Sequence, residues 1–179
     1  MRPYDRKASV LWLGTEQHGK GAISTPGTIL KGVPCVSGRD MKRRATNPPE
    51  LIAAAHAGSF SMTLANELAD AGYRPRQIET TATVTMEDIS AGWTMTQIHL
   101  DVIATVPMVA ECDFVDAALR ARKNCPISRS LNANISMRAT LGPRSRRARS
   151  PTGLFRLGAA QSGNEVGQGL RRFGATKKI

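Results

Sequence analysis

The fold of this chain is decided by residues 46–62, which read TNPPELIAAAHAGSFSM. Thr46 or Asn47 can cap a helix, and the two prolines that follow fit a first helical turn, where a backbone N–H has no partner. Glu50 places a negative charge near the positive end of such a helix. Alanine-rich sequence then continues to Gly72, a residue typical of helix ends. This stretch therefore predicts one long helix that stops at Gly72.

Spacings of three and four residues indicate which face of the long helix is apolar. The predicted stripe consists of Leu51, Ala55, Ser59 or Met62, Ala65 and Ala69. The many alanines would let another helix approach closely. We therefore expect this helix to be central and buried, with Ser59 on its apolar stripe.

The sequence on either side of the long helix alternates in the way that strands do. A short strand with one buried face is predicted from Ala8 to Gly14, and an extended segment over 22–30. After the helix we predict an antiparallel hairpin (78–86 and 98–104), a second helix (111 or 113 to 123), a helical turn (127–131) and a last strand (133–141). This order predicts an α+β domain over residues 1–141, with a mainly antiparallel sheet.

Charge separates the end of the chain from this domain. The 179 residues carry a net charge of +11, yet the last 38 hold nine Lys or Arg and a single Glu. Their Gly, Ser and Pro content predicts a basic, disordered tail over residues 142–179. Clustered arginines without interleaved aromatic residues give only nonspecific attraction to phosphate. Nucleic-acid binding is therefore the weakest function that the sequence suggests, and we expect no nucleic-acid partner.

Other compositional features narrow the class further. A hydrophobic content of 41% suffices for a core, whereas no run of 18 apolar residues and no apolar leader is present. We therefore expect a soluble, cytoplasmic protein without a membrane partner. The three cysteines are Cys35, Cys112 and Cys125. They are too few and too widely spaced for a disulfide scaffold or a C-x-x-C zinc site, so no metal is expected.

Cys125 is the strongest candidate for chemistry that the residues themselves suggest. It follows the second helix and precedes Pro126, so its sulfur can lie at the start of the next helical turn, where the dipole favours a thiolate. Arg122, Lys123 and Arg129 are close in sequence and could add to that effect. The competing interpretation is an inert buried cysteine that packs as a small hydrophobic residue.

His56 and Ser59 form a second, weaker candidate. They are three residues apart on the long helix and could contact each other as a base and a hydroxyl nucleophile. A helical serine more often bonds the backbone carbonyl four residues before it, and no third group can be identified. The sequence therefore favours a structural role for this pair over a hydrolase.

Two motifs give the chain a family resemblance. Residues 46–62 closely resemble the first signature of the OsmC/Ohr family, and residues 124–128 (NCPIS) resemble the second. Residues 19–21 and 79–104 are similar to the OsmC branch, so that the resemblance covers roughly residues 8–141. It implies an intertwined α+β homodimer with active sites at the subunit interface.

The resemblance also implies a chemistry. The family consists of thiol-dependent peroxidases that reduce organic hydroperoxides in osmotic and oxidative stress defence. A peroxidatic cysteine on the central helix attacks the peroxide, and a second cysteine in the Cys-Pro motif resolves the sulfenic acid as a disulfide. An Arg and a Glu hold the thiolate and the peroxide. A dithiol such as a lipoyl group is the expected reductant, and no metal or cofactor is implied.

Carried onto this chain, the family motif gives four candidate site residues. Ser59 stands where the family has the peroxidatic cysteine, and Cys125 is the resolving cysteine. Arg39 matches the loop arginine, and Glu50 lies one residue after the position of the catalytic glutamate. A serine hydroxyl is scarcely ionised near neutral pH and cannot form a sulfenic acid, so the two-cysteine cycle cannot run as in the family.

Two functions stay open at this point. Cys125, supported by Arg39 and Glu50, can act as a one-cysteine peroxidase. Alternatively, the chain is a non-catalytic dimeric stress protein that binds a hydrophobic ligand or partner. The sequence also leaves open whether Cys35 or Cys112 supplies the missing sulfur.

Overall fold

A computed structural model describes residues 3–27, 29–37 and 44–142 of the chain. These residues form two three-stranded sheets and three helices. The elements are β1 (Ser9–Leu13), β2 (Lys20–Ser24), β3 (Val33–Cys35), α1 (Pro48–Asp70), β4 (Gln77–Ile89), β5 (Gly92–Thr105), α2 (Glu111–Asn124), α3 (Pro126–Ser130) and β6 (Asn134–Leu141). The predicted α+β class is confirmed, whereas residues 143–179, which contain almost all of the predicted basic tail, lie outside the described residues.

Helix α1 begins and ends as its local sequence predicts. Asn47 caps it, because its side-chain oxygen accepts a hydrogen bond of 3.0 Å from the Glu50 N–H. Pro48 occupies the first turn, where its missing N–H costs nothing. The helix stops before Gly72, whose φ of 84° is the left-handed conformation that glycine adopts without strain. Capping residues and a terminal glycine therefore define this helix.

The second sheet has the strand order β4-β5-β6. Strands β4 and β5 pair antiparallel as predicted, with a tight connection between Ile89 and Gly92. Strand β6 pairs parallel to β5, so the chain must cross over between them, and α2 and α3 form that crossover. One face of β5 is completely covered, since Ile98, Leu100 and Ala104 have no exposed surface.

Helices α1 and α2 provide the cover for this sheet. The buried residues of α1 are His56, Phe60, Leu64 and Leu68, and those of α2 are Phe114, Ala117, Ala118 and Ala121. The stripe that we predicted for α1 is therefore wrong, because Ala55 and Ala69 are exposed and Met62 is 71% exposed. Large side chains bury more apolar area than alanine does, so the Phe and Leu face turns toward the core.

The first sheet has the order β1-β2-β3, and both of its pairings are antiparallel. Its connection to the body includes a bridge between Cys35 and Thr46, where the Val36 N–H donates to the Thr46 carbonyl at 3.0 Å. The predicted buried face of β1 is wrong for this protomer. The alternating residues Ala8, Val10 and Trp12 were expected to point inward, but Val10 is 56% exposed.

No helix in the part of the chain that the structure describes is both long and apolar enough to cross a membrane.

Candidate active site at Cys125

Cys125 lies at the junction of two helices. Its N–H donates to the Ala121 carbonyl at 2.8 Å and so ends α2, and its carbonyl accepts from the Arg129 N–H at 3.1 Å and so begins α3. Pro126 enforces the break, because it lacks the N–H that would continue α2 but fits a first helical turn. The Cys125 side chain has no exposed surface. The sequence prediction of a cysteine at the start of a helical turn is confirmed.

Ser59 of α1 faces this sulfur. The Ser59 Oγ and Cys125 Sγ atoms are 3.3 Å apart, within hydrogen-bond range for sulfur. The sequence favoured a bond from Ser59 to its own helix backbone, whereas the structure pairs its hydroxyl with the thiol. The two family-like motifs therefore meet side chain to side chain, 66 residues apart in the chain.

The surroundings of Cys125 favour its thiolate. Burial by itself raises the pKa of the Cys125 thiol, but hydrogen bonding by the Ser59 hydroxyl, by the N–H and hydroxyl of Ser128 and by the N–H of Ile127 outweighs it. The net effect is a pKa below the usual value for cysteine. Hydrogen bonds stabilise the charged form directly, which is the reason for this sign. The thiolate is the nucleophilic form of a cysteine.

A second polar pair lies against the same site. His56 Nε2 is 2.8 Å from Ser128 Oγ, and the His56 side chain has no exposed surface. Burial lowers the pKa of His56, so the neutral ring is favoured. His56 and Ser59 therefore do not pair with each other: His56 contacts Ser128, and Ser59 contacts Cys125.

Glu67 holds this junction in place and was not found by sequence reasoning. Its carboxylate accepts hydrogen bonds of 2.7 Å from the Asn124 side chain and 2.9 Å from Arg120. These bonds join α2 to α1 directly before Cys125. The Asn124 and Arg120 hydrogen bonds lower the pKa of Glu67. Nothing in its sequence surroundings distinguishes it from a surface glutamate.

The other predicted site residues lie elsewhere or outside the described part. Arg39 falls outside the described residues. Glu50 is exposed in the first turn of α1, where its carboxylate accepts from Thr46 Oγ1 at 3.2 Å. Nine residues of helix separate it from Ser59, which amounts to about 14 Å and half a rotation. This chain's fold therefore does not bring Glu50 to its own Cys125, and a catalytic role for Glu50 stays a prediction.

Neither remaining cysteine lies beside Cys125 on α2 or α3. Cys112 is exposed at the start of α2, and Cys125 directly follows the end of that helix, so about 20 Å of helix separates them. Cys35 is buried on β3, where it pairs with Gly21 of β2. All three cysteines are free thiols. Within residues 3–27, 29–37 and 44–142, no group of three or more His, Cys, Asp or Glu side chains could hold a metal ion.

Solved structures share this architecture. An OsmC-like protein of Vibrio cholerae superposes with a TM-score of 0.65 at 13% identity, covering 77% of this chain and 100% of that one. The organic hydroperoxide resistance protein OhrB of Bacillus subtilis gives a TM-score of 0.58 at 18% identity, covering 75% and 98%. The fold is therefore that of the OsmC/Ohr class of α+β proteins.

Sequence comparison identifies the family itself. The profile of the OsmC-like protein family matches residues 39–140. Peroxiredoxin OsmC of Escherichia coli K12 is 37% identical over 133 residues, which is 74% of this chain and 93% of that protein. The chain belongs to the OsmC-like family.

Proposed function

We propose that this chain is a thiol-dependent peroxidase that reduces organic hydroperoxides, with Cys125 as its working thiol. The observation that carries the proposal is the pairing of the Cys125 sulfur with the Ser59 hydroxyl at 3.3 Å, in surroundings that lower the thiol pKa. Membership in a family that includes a peroxiredoxin, and the likeness to a hydroperoxide resistance protein, support the substrate class.

The proposed cycle uses one cysteine. The Cys125 thiolate attacks the distal peroxide oxygen, the O–O bond breaks, and the leaving alkoxide takes up a proton to form the alcohol. Cys125 is thereby oxidised to a sulfenic acid. One thiol of an external dithiol then attacks this sulfur and releases water, and its second thiol displaces Cys125. The dithiol ends as a disulfide, and a lipoyl-type dithiol is the reductant class that we propose.

Ser59 acts as a hydrogen-bond donor in this cycle. An aliphatic hydroxyl keeps its proton near neutral pH, so it cannot attack the peroxide but can stabilise the neighbouring thiolate. Cys125 has no exposed surface, whereas Ser59 is only partly buried. The peroxide therefore approaches the sulfur past Ser59. Arg39, which matches the loop arginine of the family, and Glu50, one residue after the family's glutamate position, complete the proposed set for binding the peroxide.

We predict that Cys125→Ser abolishes hydroperoxide consumption by the purified full-length chain. The measurement follows an alkyl hydroperoxide in the presence of a small dithiol. Cys112→Ser is the matched control, because Cys112 is exposed at the other end of α2 and should leave the rate unchanged. Equal rates for the unmodified chain and Cys125→Ser would contradict the proposed cycle.

A second candidate function is favoured by one observation. Complete burial of the Cys125 side chain is also what an inert structural cysteine shows. If the unmodified chain consumes no hydroperoxide, the non-catalytic alternative stands, in which the protein binds a hydrophobic ligand or partner. Neither candidate requires a metal, a membrane or a nucleic acid.

We further propose that the protein is a cytoplasmic homodimer that functions in stress defence. The alanine-rich face of α1, with Ala54, Ala55 and Met62, is exposed in one protomer, and so are Val10 and Leu11 of β1. Clusters of exposed apolar side chains are typical of interfaces between subunits. A second copy would cover the small-residue face that the sequence predicted to be buried.

The dimer proposal predicts the effect of one charge. Met62→Lys should shift the molar mass in light scattering from that of a dimer toward that of a monomer, since a buried charge at an interface lacks a partner. Thr85→Lys is the control, because it adds the same single charge at an exposed position of β4. A monomeric mass for the unmodified protein would contradict the proposal.

A further inference from the structure

Glu67 is the charged side chain that joins the long helix α1 to α2 near the thiol. Its side chain is only 14% exposed. One carboxylate oxygen, Oε1, accepts a hydrogen bond of 2.7 Å from Asn124 Nδ2, and the other, Oε2, accepts one of 2.9 Å from Arg120 Nε. Hydrogen bonds to an ionised group are shorter and stronger than those between neutral groups. The carboxylate is therefore attached to α2 at two points, about one helical turn apart.

The bond to Asn124 acts directly beside the thiol. Asn124 is the last residue of α2, and the N–H of the next residue, Cys125, donates to the Ala121 carbonyl at 2.8 Å. The Cα atoms of neighbouring residues are held about 3.8 Å apart by the peptide unit. An interaction that holds Asn124 against α1 therefore also restricts the position of Cys125 relative to that helix.

Ser59 and Glu67 contact two adjacent residues at the end of α2 from different places on α1. Ser59 Oγ is 3.3 Å from Cys125 Sγ, and Glu67 lies eight residues, or about 12 Å, further along the helix. Helical side chains lean toward the N-terminus of their helix, so the long Glu67 side chain reaches back in the direction of Ser59. Helix α1 thus holds Asn124 and Cys125 by two separate contacts.

The contact between Ser59 and Cys125 is too weak to hold the helices in place by itself. A cysteine sulfur is a weak hydrogen-bond donor and a weak acceptor. Apolar packing in the core brings α1 and α2 together, but this packing is not directional. In the part of the chain that the structure describes, the side-chain hydrogen bonds between these two helices are those of Glu67. They are the directional interactions that can fix how far the hydroxyl lies from the sulfur.

We propose that Glu67 is a positioning residue: its carboxylate holds Asn124 and Arg120, and thereby sets the distance between the Ser59 hydroxyl and the Cys125 sulfur. The proposal rests on the proposed function in one respect, namely that Cys125 is the working thiol. Glu67 acts through α2 in this role and has no contact with the peroxide. Loss of its bonds should therefore leave the fold intact but let positions 59 and 125 separate.

The test measures how closely positions 59 and 125 are held together in the full-length chain. The parent for this test carries Ser59→Cys, which places a thiol opposite Cys125, and Cys112→Ser, which removes the exposed cysteine. It is equilibrated with reduced and oxidised glutathione, and each disulfide that forms between positions 59 and 125 reduces one oxidised glutathione to two thiols. Mass spectrometry of the acid-quenched chain gives the fraction with the disulfide. This fraction yields the effective concentration of one thiol at the other.

Glu67→Gln in this parent should lower the effective concentration about tenfold, because a hydrogen bond to a charged group is lost. The substitution keeps the size of the side chain but leaves one acceptor oxygen for the two donors, Asn124 and Arg120. Glu79→Gln, the same chemical change at an exposed position of β4, is the control and should leave the effective concentration unchanged.

An exchange of the two side chains separates this bond from general stability. Glu67→Gln combined with Asn124→Asp puts the amide on α1 and the carboxylate on α2, so the bond between them forms again with its direction reversed. The amide oxygen at position 67 can still accept from Arg120. The exchange should therefore return the effective concentration to that of the parent.

Three results would overturn the proposal. They are an effective concentration that does not fall in Glu67→Gln, a fall that the exchange with Asn124→Asp does not reverse, and a parent that forms no disulfide, since positions 59 and 125 are then not in contact. If Glu67→Gln does not fold, Asn124→Ala carries the test, and an unchanged effective concentration there overturns the proposal as well. The equilibrium requires no peroxide, so a lack of hydroperoxide consumption by the unmodified chain counts against the proposed function alone.

Discussion

Ser59→Cys is expected to speed the resolution of the sulfenic acid on the order of a hundredfold in a single turnover at a low concentration of dithiol. The substitution exchanges one oxygen for sulfur at the atom that lies 3.3 Å from Cys125 Sγ. A second thiol at this position makes the resolution of the sulfenic acid intramolecular. Intramolecular reactions of well-placed groups have effective concentrations far above those of a free reductant.

The geometry favours a disulfide in this variant. An S–S bond measures about 2.0 Å, so the two side-chain atoms need to approach by roughly 1.3 Å, and a C–S bond is longer than the C–O bond that it replaces. The introduced thiolate attacks the peroxide and releases the alcohol, and Cys125 then attacks the resulting sulfenic acid and releases water. We expect mass spectrometry after one equivalent of peroxide to show the loss of two hydrogens from the chain.

Ser61→Cys is the matched control for this prediction. Ser61 lies two residues further along α1, also partly buried, but its hydroxyl donates to Thr80 Oγ1 of β4 at 2.8 Å. A thiol introduced there faces the sheet instead of Cys125, so neither the disulfide nor the faster resolution of the sulfenic acid should appear. A rate for Ser59→Cys equal to that of the unmodified chain would show that the family's two-cysteine geometry is absent from this protein.

The contact between Ser59 and Cys125 could be predicted from the family resemblance but not from the periodicity of the sequence. The two residues are 66 positions apart, and no local pattern encodes which helix end meets which helix face. Two motifs matched together placed both residues in one site. Ser128 and His56 entered the site without being predicted as a pair, because a hydrogen bond between distant elements leaves no signal in spacing.

Strand direction shows where local patterns stop being informative. Alternation in β5 and β6 correctly predicted two strands, but the same alternation fits either relative direction. The parallel pairing of β5 with β6 follows from the helices between them, since a crossover that contains α2 and α3 returns the chain to the same end of the sheet. The capping residues Asn47 and Gly72 fixed the ends of α1 because the signals that they carry are local.

The prediction of the buried face of α1 was wrong because it relied on the spacing of apolar residues and not on the size of their side chains. Residues 51, 55, 62 and 69 and residues 56, 60, 64 and 68 both follow helical spacing, and the second set lies on the opposite face, rotated by about 180° from the first. Only the second set places Phe60, Leu64 and Leu68 on one side, where each buries far more apolar area than an alanine. When two faces of a helix follow the same spacing, the face with the larger apolar side chains is therefore the one that is buried.

Leu64→Ala is expected to lower the free energy of unfolding by about 2 to 5 kcal/mol, the second large effect that the structure implies. Leu64 has no exposed surface and belongs to the core between α1, α2 and the second sheet. Its truncation removes buried methyl groups and leaves a cavity, because the closely packed surroundings relax only in part. Urea denaturation at one fixed chain concentration measures the change, and an unaltered slope shows that the same two states are compared.

Leu119→Ala on α2 provides the matched control, because it is the same chemical change at a side chain that is 45% exposed. Leu119→Ala should lower the free energy of unfolding by less than about 1 kcal/mol, since much of the removed surface already contacts water and no closed cavity forms. If the two variants lose equal stability, Leu64 does not face the core, and the face of α1 that contains Ala55 and Met62 would be the buried one, as the sequence predicted. A large loss confined to Leu64→Ala means instead that α1 turns its Phe and Leu face inward, which leaves the alanine face available to a second copy of the chain.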